Sequence, residues 1–412
     1  MLKDILLLQR REMQNRLKEP YINRLAHKLN INNNLIKVII GPRRAGKSFF
    51  ALHFLSKDNF GYVNFDDEKL EDIRDYDELI ELIKSVYNNP KIILFDEIQN
   101  IDKWELFMNR LQRQGYNLII TGSNSKLLSK ELATHLTGRH SSINIFPFSF
   151  KELLENKELT TQETKEMLNN YLIFGGYPEP LAKNLDYKEY LSNLFNSIIY
   201  KDIVRRYNVR SVSGIENISS YLISNIANEY SFNTLSKVTN VKSVHTIEKY
   251  LSYLEEAFIF FNIKKFSYKI KEQLSSNKKI YSFDNGFIHA KAFKFSPDFG
   301  KLYENVVAQE LKKEELNNNI KVFYWKNQQQ EEVDFLLYEN NKVKQLIQVC
   351  YDIKNHKTKN REVRALLKAG NELNCNNLIV ITDNYESEDI IEWFGIKRTI
   401  KFIPLWKWLT EK

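Results

Sequence analysis

The residues best suited to chemistry form one uninterrupted stretch near the amino terminus. Residues 41–48 read Gly-Pro-Arg-Arg-Ala-Gly-Lys-Ser and match the phosphate-binding pattern G-x-x-x-x-G-K-[ST]. In this pattern the glycines let backbone N–H groups close around phosphate oxygens, the lysine reaches the β- and γ-phosphates, and the serine hydroxyl ligates Mg²⁺. The stretch therefore predicts binding of a nucleoside triphosphate with Mg²⁺. We expect the contacts to come from Gly41, Pro42, Arg43, Arg44, Ala45, Gly46, Lys47, Ser48 and Phe49.

The sequence on either side supplies the elements that this loop needs. Apolar residues 35–40 predict a buried strand, and residues 48–55 have the 3.6-residue periodicity of a helix. A strand before the loop and a helix after it place the phosphates at a helix amino terminus, where the dipole favours negative charge. A chance glycine-rich turn would not require this context.

Two candidate residues for Mg²⁺ binding and catalysis come directly after the apolar stretch 91–95. Asp96 and Glu97 follow it directly. In a nucleotide-binding sheet, an aspartate in this place holds Mg²⁺, and the following glutamate orients and polarises the attacking water as general base. The alternative is that both carboxylates only cap the helix predicted from residue 98, where acidic side chains are also favoured.

A third apolar stretch, residues 116–121, ends in small polar residues. Asn124 or Ser123 could hydrogen-bond the γ-phosphate or the attacking water, although the same residues also suit a helix cap. Further along, Arg139 is placed to neutralise transition-state charge, either within its own chain or in a neighbouring one. A solvated surface arginine is the alternative.

Taken together, these motifs resemble a prokaryotic family of AAA-type ATPases that carry a C-terminal domain of unknown function. The resemblance rests on residues 41–48, 94–99, 121–125, 137–139 and 146–150, and it continues through 174–178 and 333–335. It implies ATP rather than GTP as the nucleotide, hydrolysis of that ATP, a sensor role for Asn124, and a cytoplasmic protein. It does not imply a substrate.

Composition sets wider limits. The chain has 412 residues with 43% hydrophobic and 13% aromatic content, so two or three packed domains are expected. It has two cysteines, Cys350 and Cys375, which fits a reducing cytoplasm. No signal peptide is apparent, and no apolar stretch approaches the ~20 residues needed to cross a bilayer. We expect a soluble protein without membrane contact.

The net charge of +8 points only weakly to nucleic acid. The chain is rich in Lys, Asn and Ile and poor in Gly, Pro and Ala, which is typical of an AT-rich genome. Much of the lysine excess is then a consequence of codon usage on a solvated surface.

The order of predicted elements gives an α/β fold class. We expect a P-loop AAA-type parallel sheet with helices on both faces, followed by a winged helix and an α/β restriction-endonuclease-like domain. The predicted domains are a basic helical region (1–30), the ATPase domain (31–155), a helical lid or connector (156–212), a winged helix (213–285) and a nuclease-like domain (286–412). The first region is either an arm for an anionic partner or a helix docked beside the ATPase sheet.

Residues 215–285 have a helix-turn-helix pattern followed by two apolar strands. In a winged helix, Ser243, His245, Thr246 and Lys249 could face a DNA groove. Four lysines between the strands would then meet phosphates: Lys264, Lys265, Lys269 and Lys271. Many winged helices instead pack only against other domains.

The last domain resembles the PD-(D/E)XK nuclease fold, in which a helix Glu, a strand Asp and a Glu-x-Lys bind Mg²⁺ and activate water. Glu304 and Asp334 match the first two positions, but the third reads Gln348-Val349-Cys350, with an amide in place of the carboxylate and a thiol in place of the lysine. These two losses should reduce catalysis severely, unless Lys354 supplies the missing cation. A degenerate, nuclease-like binding domain is the preferred interpretation.

The prediction is therefore a Mg²⁺-dependent ATPase whose nucleotide state repositions the winged-helix and nuclease-like module on double-stranded DNA. A signalling or scaffold ATPase with a protein partner and an ATP-gated nuclease remain alternatives. The oligomeric state is left open.

Overall fold

The computed structural model describes residues 2–25, 33–71, 73, 75–122, 136, 138–293, 298–354 and 356–411. The chain forms two compact units. Unit 1 comprises Met1–Phe148 and Leu181–Asn184, and unit 2 comprises Ser149–Pro180 and Leu185–Lys412. Among the described residues, no helix is long and apolar enough to cross a membrane.

Unit 1 is built on a parallel five-stranded sheet with the order β2-β3-β4-β1-β5. Its described strands and α-helices are α1 (Leu2–Arg16), β1 (Ile36–Ile40), α2 (Lys47–Phe54), β2 (Phe60–Asn64), α3 (Tyr76–Val86), β3 (Ile92–Asp96), α4 (Trp104–Arg113), β4 (Asn117–Gly122) and β5 (His140–Asn144). All five residues of β1 are buried. A parallel sheet needs a crossover between consecutive strands, so the carboxyl ends of the strands share one edge.

The amino-terminal helix α1 is docked on this sheet. Gln9 is buried, and its amide both donates to Asn64 O and accepts from Asn64 N, each at 3.0 Å. It thereby pairs the last residue of β2, which is an edge strand. Arg10 donates to Val86 O at 2.6 Å at the end of α3. Of the two roles considered for the basic region 1–30, residues 2–16 therefore agree with a helix docked beside the ATPase sheet. Residues 26–30 lie outside the described residues.

Unit 2 contains a mixed nine-stranded sheet with the order β13-β14-β12-β11-β10-β9-β7-β8-β6. Its strands are β6 (Glu229–Tyr230), β7 (Phe260–Lys265), β8 (Lys278–Ser282), β9 (Lys321–Lys326), β10 (Glu332–Glu339), β11 (Lys342–Cys350), β12 (Leu378–Thr382), β13 (Ser387–Trp393) and β14 (Ile396–Pro404).

Some helices of unit 2 pack on this sheet and others pack on neighbouring helices. The helices are α5 (Phe150–Leu154), α6 (Thr161–Phe174), α7 (Pro178–Lys183, which continues into unit 1), α8 (Tyr187–Ser197, extended by a π-helical stretch Ile198–Arg205), α9 (Val212–Ser224), α10 (Phe232–Thr239), α11 (Val244–Glu256), α12 (Ile270–Ser275), α13 (Asn285–Lys291), α14 (Phe299–Asn317), α15 (His356–Glu372) and α16 (Leu405–Glu411). The α/β fold class, with a parallel P-loop sheet and a second mixed sheet, is confirmed.

The nine-stranded sheet joins two segments that the sequence separates. β7 and β8, the two strands expected in the wing, pair with each other, and β7 also pairs in parallel with β9 through Lys264–Phe323 and Lys265–Tyr324. The sheet thus runs without a break from the segment predicted to be a winged helix into the segment predicted to be nuclease-like. A two-residue parallel pairing leaves no local sequence signal, because both strands read as ordinary apolar strands.

The motif Phe174-Gly175-Gly176-Tyr177-Pro178 has a packing role within unit 2. Asp284 is buried and accepts hydrogen bonds from Gly176 N and Gly286 N, each at 2.8 Å. Burial raises the pKa of Asp284 to about 7. Gly175 has φ 74°, and a Cβ there would lie 1.8 Å from Asp284 Oδ1. The predicted lid segment is thereby tied to the start of α13 through backbone atoms.

We expect Gly175→Ala to lower the free energy of unfolding of unit 2 by about 3 kcal/mol, because a clash with Asp284 adds to backbone strain. The matched control is Gly395→Ala, where φ is 78° but a Cβ would meet nothing within 4 Å. Strain alone should cost about 1 kcal/mol there. Urea unfolding followed by tryptophan fluorescence measures both, and equal losses would contradict the packing role.

Candidate nucleotide-binding site

The phosphate loop has the conformation that its glycines permit. Gly41 has φ 155°, Arg44 has φ 62° and Gly46 has φ 92°, and α2 begins at Lys47. A Cβ on Gly41 would lie 1.9 Å from Ile145 O, because Ile145 N continues the β1–β5 pairing by donating to Ile40 O at 2.7 Å. No other residue fits at Gly41 without moving the strand beside it.

Lys47 is held inside this loop. Its side chain is buried, and Nζ donates to Gly41 O at 3.1 Å and to Pro42 O at 2.9 Å. Ammonium groups are rarely buried unless an anion or several acceptors surround them. The loop therefore presents a positive charge among its own backbone groups, as recognition of a polyphosphate requires.

Asp96 lies beside Ser48 at the carboxyl edge of the sheet. Ser48 Oγ donates to Asp96 Oδ1 at 2.7 Å, and Thr121 Oγ1 donates to the same oxygen. Tyr62 OH donates to Asp96 Oδ2 at 3.2 Å from the neighbouring strand β2. Three hydroxyl groups from three elements thus fix one carboxylate.

The electrostatics of Asp96 fit a cation site. Burial raises its pKa and the nearby Glu97 carboxylate raises it further, whereas the hydroxyl donors of Thr121, Ser48 and Tyr62 oppose the rise. A serine hydroxyl and an aspartate carboxylate are oxygen ligands of the kind that Mg²⁺ takes. A divalent cation between them would relieve the cost of the buried negative charge, so the residues present fit Mg²⁺.

Glu97 follows Asp96 directly and has an unusual backbone conformation. Its φ is 51°, in the left-handed region, and its N–H donates to Thr121 Oγ1 at 3.1 Å. Gln99 Nε2 donates to Glu97 Oε2. Thr121 therefore connects the two carboxylates, since its hydroxyl group bonds Asp96 on one side and the Glu97 backbone on the other.

Sequence reasoning missed the supporting residues of the loop. Arg24 donates to Ala45 O at 2.5 Å and to Phe146 O at 2.9 Å, with its guanidinium 3.9 Å from the centre of the Phe148 ring. Basic residues near the amino terminus signal nothing specific, so only the structure places Arg24 against the loop.

An aromatic group lies on the helix that follows the loop. Tyr21 stacks on His53 with ring centres 4.2 Å apart and lies 5.8 Å from Phe49. The segment before β1 is thereby fixed against the first two turns of α2. Among the remaining predicted contact residues, Arg43 is half-buried and Arg44 is exposed.

Arg139 lies at the other edge of the sheet. It precedes β5, whose first residue His140 pairs with Ile36 at the start of β1, and its carbonyl accepts from Ile36 N at 2.9 Å. With ~3.3 Å per residue, the five-residue strand β1 separates Arg139 from the phosphate loop by roughly 15 Å. This geometry argues against action on the nucleotide of the same chain and leaves action on a neighbouring chain as a prediction. Asn124 and Ser123 lie outside the described residues.

The three candidate nuclease positions do come together in unit 2. Asp334 N donates to Gln348 Oε1 at 3.2 Å, and Glu304 and Asp334 both accept from Lys279, at 2.9 and 3.0 Å.

Lys354 is exposed in the turn after β11 and is not the added cation. Burial raises the pKa of the Cys350 thiol to about 12, as expected for an unreactive cysteine. No group of three or more His, Cys, Asp or Glu within the described part of the chain is arranged to hold a metal ion.

Comparisons with known proteins agree with this arrangement. A family model described as an AAA domain matches residues 33–154, and two domains of unknown function, DUF8612 and DUF4143, match residues 165–298 and 299–408. An uncharacterized protein of Methanocaldococcus jannaschii is 37% identical over 91% of this chain and 88% of its own length. An uncharacterized protein of Haemophilus influenzae is 30% identical over 68% of this chain and 75% of its own length.

The chain belongs to this prokaryotic family of AAA-type P-loop ATPases with a C-terminal domain of unknown function. Among solved structures, a Walker-type ATPase of Pyrococcus abyssi matches with a TM-score of 0.43 and 16% identity, over 68% of this chain and 95% of that chain. The AAA domain contains the phosphate loop, Asp96 and Glu97.

We expect Thr121→Val to weaken Mg²⁺-dependent nucleotide binding about tenfold, because the isosteric change leaves Glu97 N without its acceptor and removes a donor from Asp96. Thr121→Ser keeps the hydroxyl and should bind almost as wild type. Titration with a fluorescent ATP analogue in Mg²⁺ and in EDTA measures the effect. Equal affinities for the Val and Ser variants would show that the hydroxyl does not organise the site.

Proposed function

We propose that the protein is a Mg²⁺-dependent ATPase whose nucleotide state controls the C-terminal unit on double-stranded DNA. The observation that carries the ATPase part is the 2.7 Å hydrogen bond between the Ser48 hydroxyl and the Asp96 carboxylate, next to a buried P-loop lysine. A P-loop whose serine already contacts the strand aspartate has both protein ligands of Mg²⁺ in place.

Each residue then has one task. Lys47 would leave its two loop carbonyls to bind the β- and γ-phosphates, and the backbone N–H groups of the loop would bind phosphate oxygens. Ser48 and Asp96 would hold Mg²⁺, which neutralises the developing charge. Glu97 would orient water and accept its proton, with Thr121 fixing its backbone. We also propose that Asn124 senses the γ-phosphate and that Arg139 completes the site of a neighbouring chain, which requires an oligomer.

The route from hydrolysis to a conformational change starts at the Glu97 side chain. Its hydrogen bond to Gln99 has to adjust when the carboxylate turns to water beside a γ-phosphate. Loss of that phosphate releases the segments that it ordered, which is a general mechanism of nucleotide switches.

The DNA part rests on exposed basic groups of the winged-helix segment. His245 and Lys249 are exposed on α11, and Lys269 and Lys271 are exposed between β7 and β8. Ser243 instead caps α11 by accepting from Thr246 N at 3.3 Å, so its hydroxyl is used within the chain. In a complex with duplex DNA, α11 would lie in a groove, and Lys269 and Lys271 would contact phosphates.

A protein partner is the second candidate, because apolar side chains accompany these lysines. Tyr268, Ile270 and Leu274 are exposed by 70%, 71% and 64%. Large exposed apolar groups close together are typical of surfaces that bind proteins. We place the protein in the cytoplasm, since Cys350 and Cys375 are both free.

We expect wild-type protein to hydrolyse ATP in Mg²⁺, and Glu97→Gln to bind ATP but hydrolyse it at least about 100-fold more slowly, because the general base is lost while the charge on Asp96 is kept. Duplex DNA should raise the wild-type rate and have no effect on the variant. Steady-state release of phosphate at low salt measures both. Nucleotide binding without hydrolysis in wild type would contradict the ATPase proposal.

Lysine variants provide the control for the DNA arm. The double variant Lys269→Ala/Lys271→Ala should hydrolyse ATP at the wild-type basal rate but should no longer respond to DNA. The slope of the logarithm of its DNA affinity against the logarithm of the salt concentration should be smaller than that of wild type by about 2. Lys342→Ala/Lys397→Ala removes the same charge from exposed positions on β11 and β14 and should respond as wild type. Hydrolysis that ignores DNA in every variant would favour the protein partner.

A further inference from the structure

An ammonium group lies at the centre of three carboxylates of unit 2, two of which are buried. Lys279 Nζ donates to Glu304 Oε1 at 2.9 Å and to Asp334 Oδ1 at 3.0 Å, and it lies 2.5 Å from Glu332 Oε1. The Lys279 side chain is 3% exposed. A lysine ammonium has three donors, and here each one meets a different carboxylate.

The three carboxylates come from separate elements that converge on this lysine. Lys279 is on β8, Glu304 is on α14, and Glu332 and Asp334 are on β10 with their side chains on one face. The sequence spacing gives no hint of this, because the lysine belongs to the segment expected to form a wing, and the carboxylates belong to the segment expected to form a nuclease.

Other groups of the chain also donate hydrogen bonds to the Glu304 and Asp334 carboxylates. Glu304 Oε1 also accepts from Tyr281 OH at 2.8 Å, and Asp334 Oδ2 accepts from Val349 N at 3.0 Å. Gln348 is engaged at both ends, because its Oε1 accepts from Asp334 N and its Nε2 donates to Glu362 Oε2 at 2.7 Å. The amide at the third nuclease position is therefore fixed as a support for Asp334.

The charges of the cluster keep the ammonium protonated. Burial alone would lower the pKa of Lys279, but the carboxylates of Glu304, Asp334 and Glu332 raise it well above its usual value. Burial raises the pKa of Glu304, and the neighbouring Asp334 carboxylate adds to the rise. The Glu304 and Asp334 carboxylates therefore repel each other unless a cation lies between them.

We propose that the Lys279 ammonium takes the place of a divalent cation in unit 2, so that the acidic cluster is a metal-type site permanently filled by the chain itself. Three carboxylates converge on one cation, and that cation is a side chain that cannot leave. No exchangeable metal ion would then be held here to activate water, so the cluster would not support metal-dependent nuclease chemistry.

The same lysine has a consequence for the fold. Because Lys279 is on a strand of the winged-helix segment and its partners belong to α14 and β10, the cluster ties the two segments together in one sheet. A metal ion would have joined only the nuclease-like elements. This inference does not depend on ATP hydrolysis in unit 1.

Removing the ammonium should reveal the cation site. We expect Lys279→Met to melt about 10 °C below wild type, because buried carboxylates lose their counter-charge. Millimolar Ca²⁺ or Mn²⁺ alone should restore at least about half of that loss by binding the folded state, while wild type should not shift. Thermal unfolding followed by tryptophan fluorescence without nucleotide measures this. Lys278→Met, the neighbour whose side chain faces the other side of β8, is the matched control and should show neither effect.

A charge-neutral variant separates electrostatics from packing. Lys279→Met/Glu304→Gln/Asp334→Asn should melt above Lys279→Met and should not respond to Ca²⁺ or Mn²⁺. If Lys279→Met does not fold, recovery of folded protein in the triple variant still supports the proposal, and failure to recover it overturns it. The proposal is also overturned if Lys279→Met is as stable as wild type. Cleavage of duplex DNA by the wild type in Mg²⁺ that Asp334→Asn abolishes would overturn it as well.

Discussion

Burying a carboxylate costs several kcal/mol unless donors or a cation surround it. In unit 1, Asp96 is surrounded by the hydroxyls of Ser48, Thr121 and Tyr62. These donors stabilise the charge without cancelling it, so a strand aspartate remains able to bind an ion. The β-strands that carry Tyr62 and Thr121 are the neighbours of β3 in the sheet, so the parallel topology itself brings the donors to this carboxylate.

Unit 2 meets the same constraint in another way. Glu304 and Asp334 are compensated by the full positive charge of Lys279, and the Tyr281 hydroxyl is an additional donor to Glu304. A full charge binds its partners more tightly than a neutral donor and leaves no position for an exchangeable ion. The site around Asp96 and the cluster around Lys279 therefore differ in their cation. In the proposed ATPase site the cation is a metal ion that binds reversibly, and in the Lys279 cluster it is a side chain that is always present.

The sequence predicted the parts of this account that depend on local patterns. The phosphate loop, the strand before Asp96 and the α/β class follow from periodicity and spacing, because β1 and β3 are mostly apolar and the loop glycines permit its unusual backbone angles. The convergence of Glu304, Asp334 and Gln348 was also predicted, because the resemblance to a nuclease fold specified their elements.

Contacts between distant residues could not be predicted in this way. Lys279 was assigned only to a wing strand, because the parallel pairing of β7 with β9 that brings the segments together involves two residues of each strand. The motif that contains Arg139 leaves open whether it acts within its own chain or on a neighbouring one, whereas strand direction puts it at the amino edge of the sheet. Arg24 and Gln9 support the ATPase sheet through backbone carbonyls, which any sequence could offer.

The most direct test of the difference between the two centres is the number of divalent cations that the intact chain binds. Electron paramagnetic resonance of free Mn²⁺, titrated with wild-type protein and a non-hydrolysable ATP analogue, gives that number. The account predicts one tightly bound Mn²⁺ per chain, which is lost without the nucleotide or in Asp96→Asn and is unchanged in Asp334→Asn. A bound Mn²⁺ that persists without nucleotide and disappears in Asp334→Asn would contradict it.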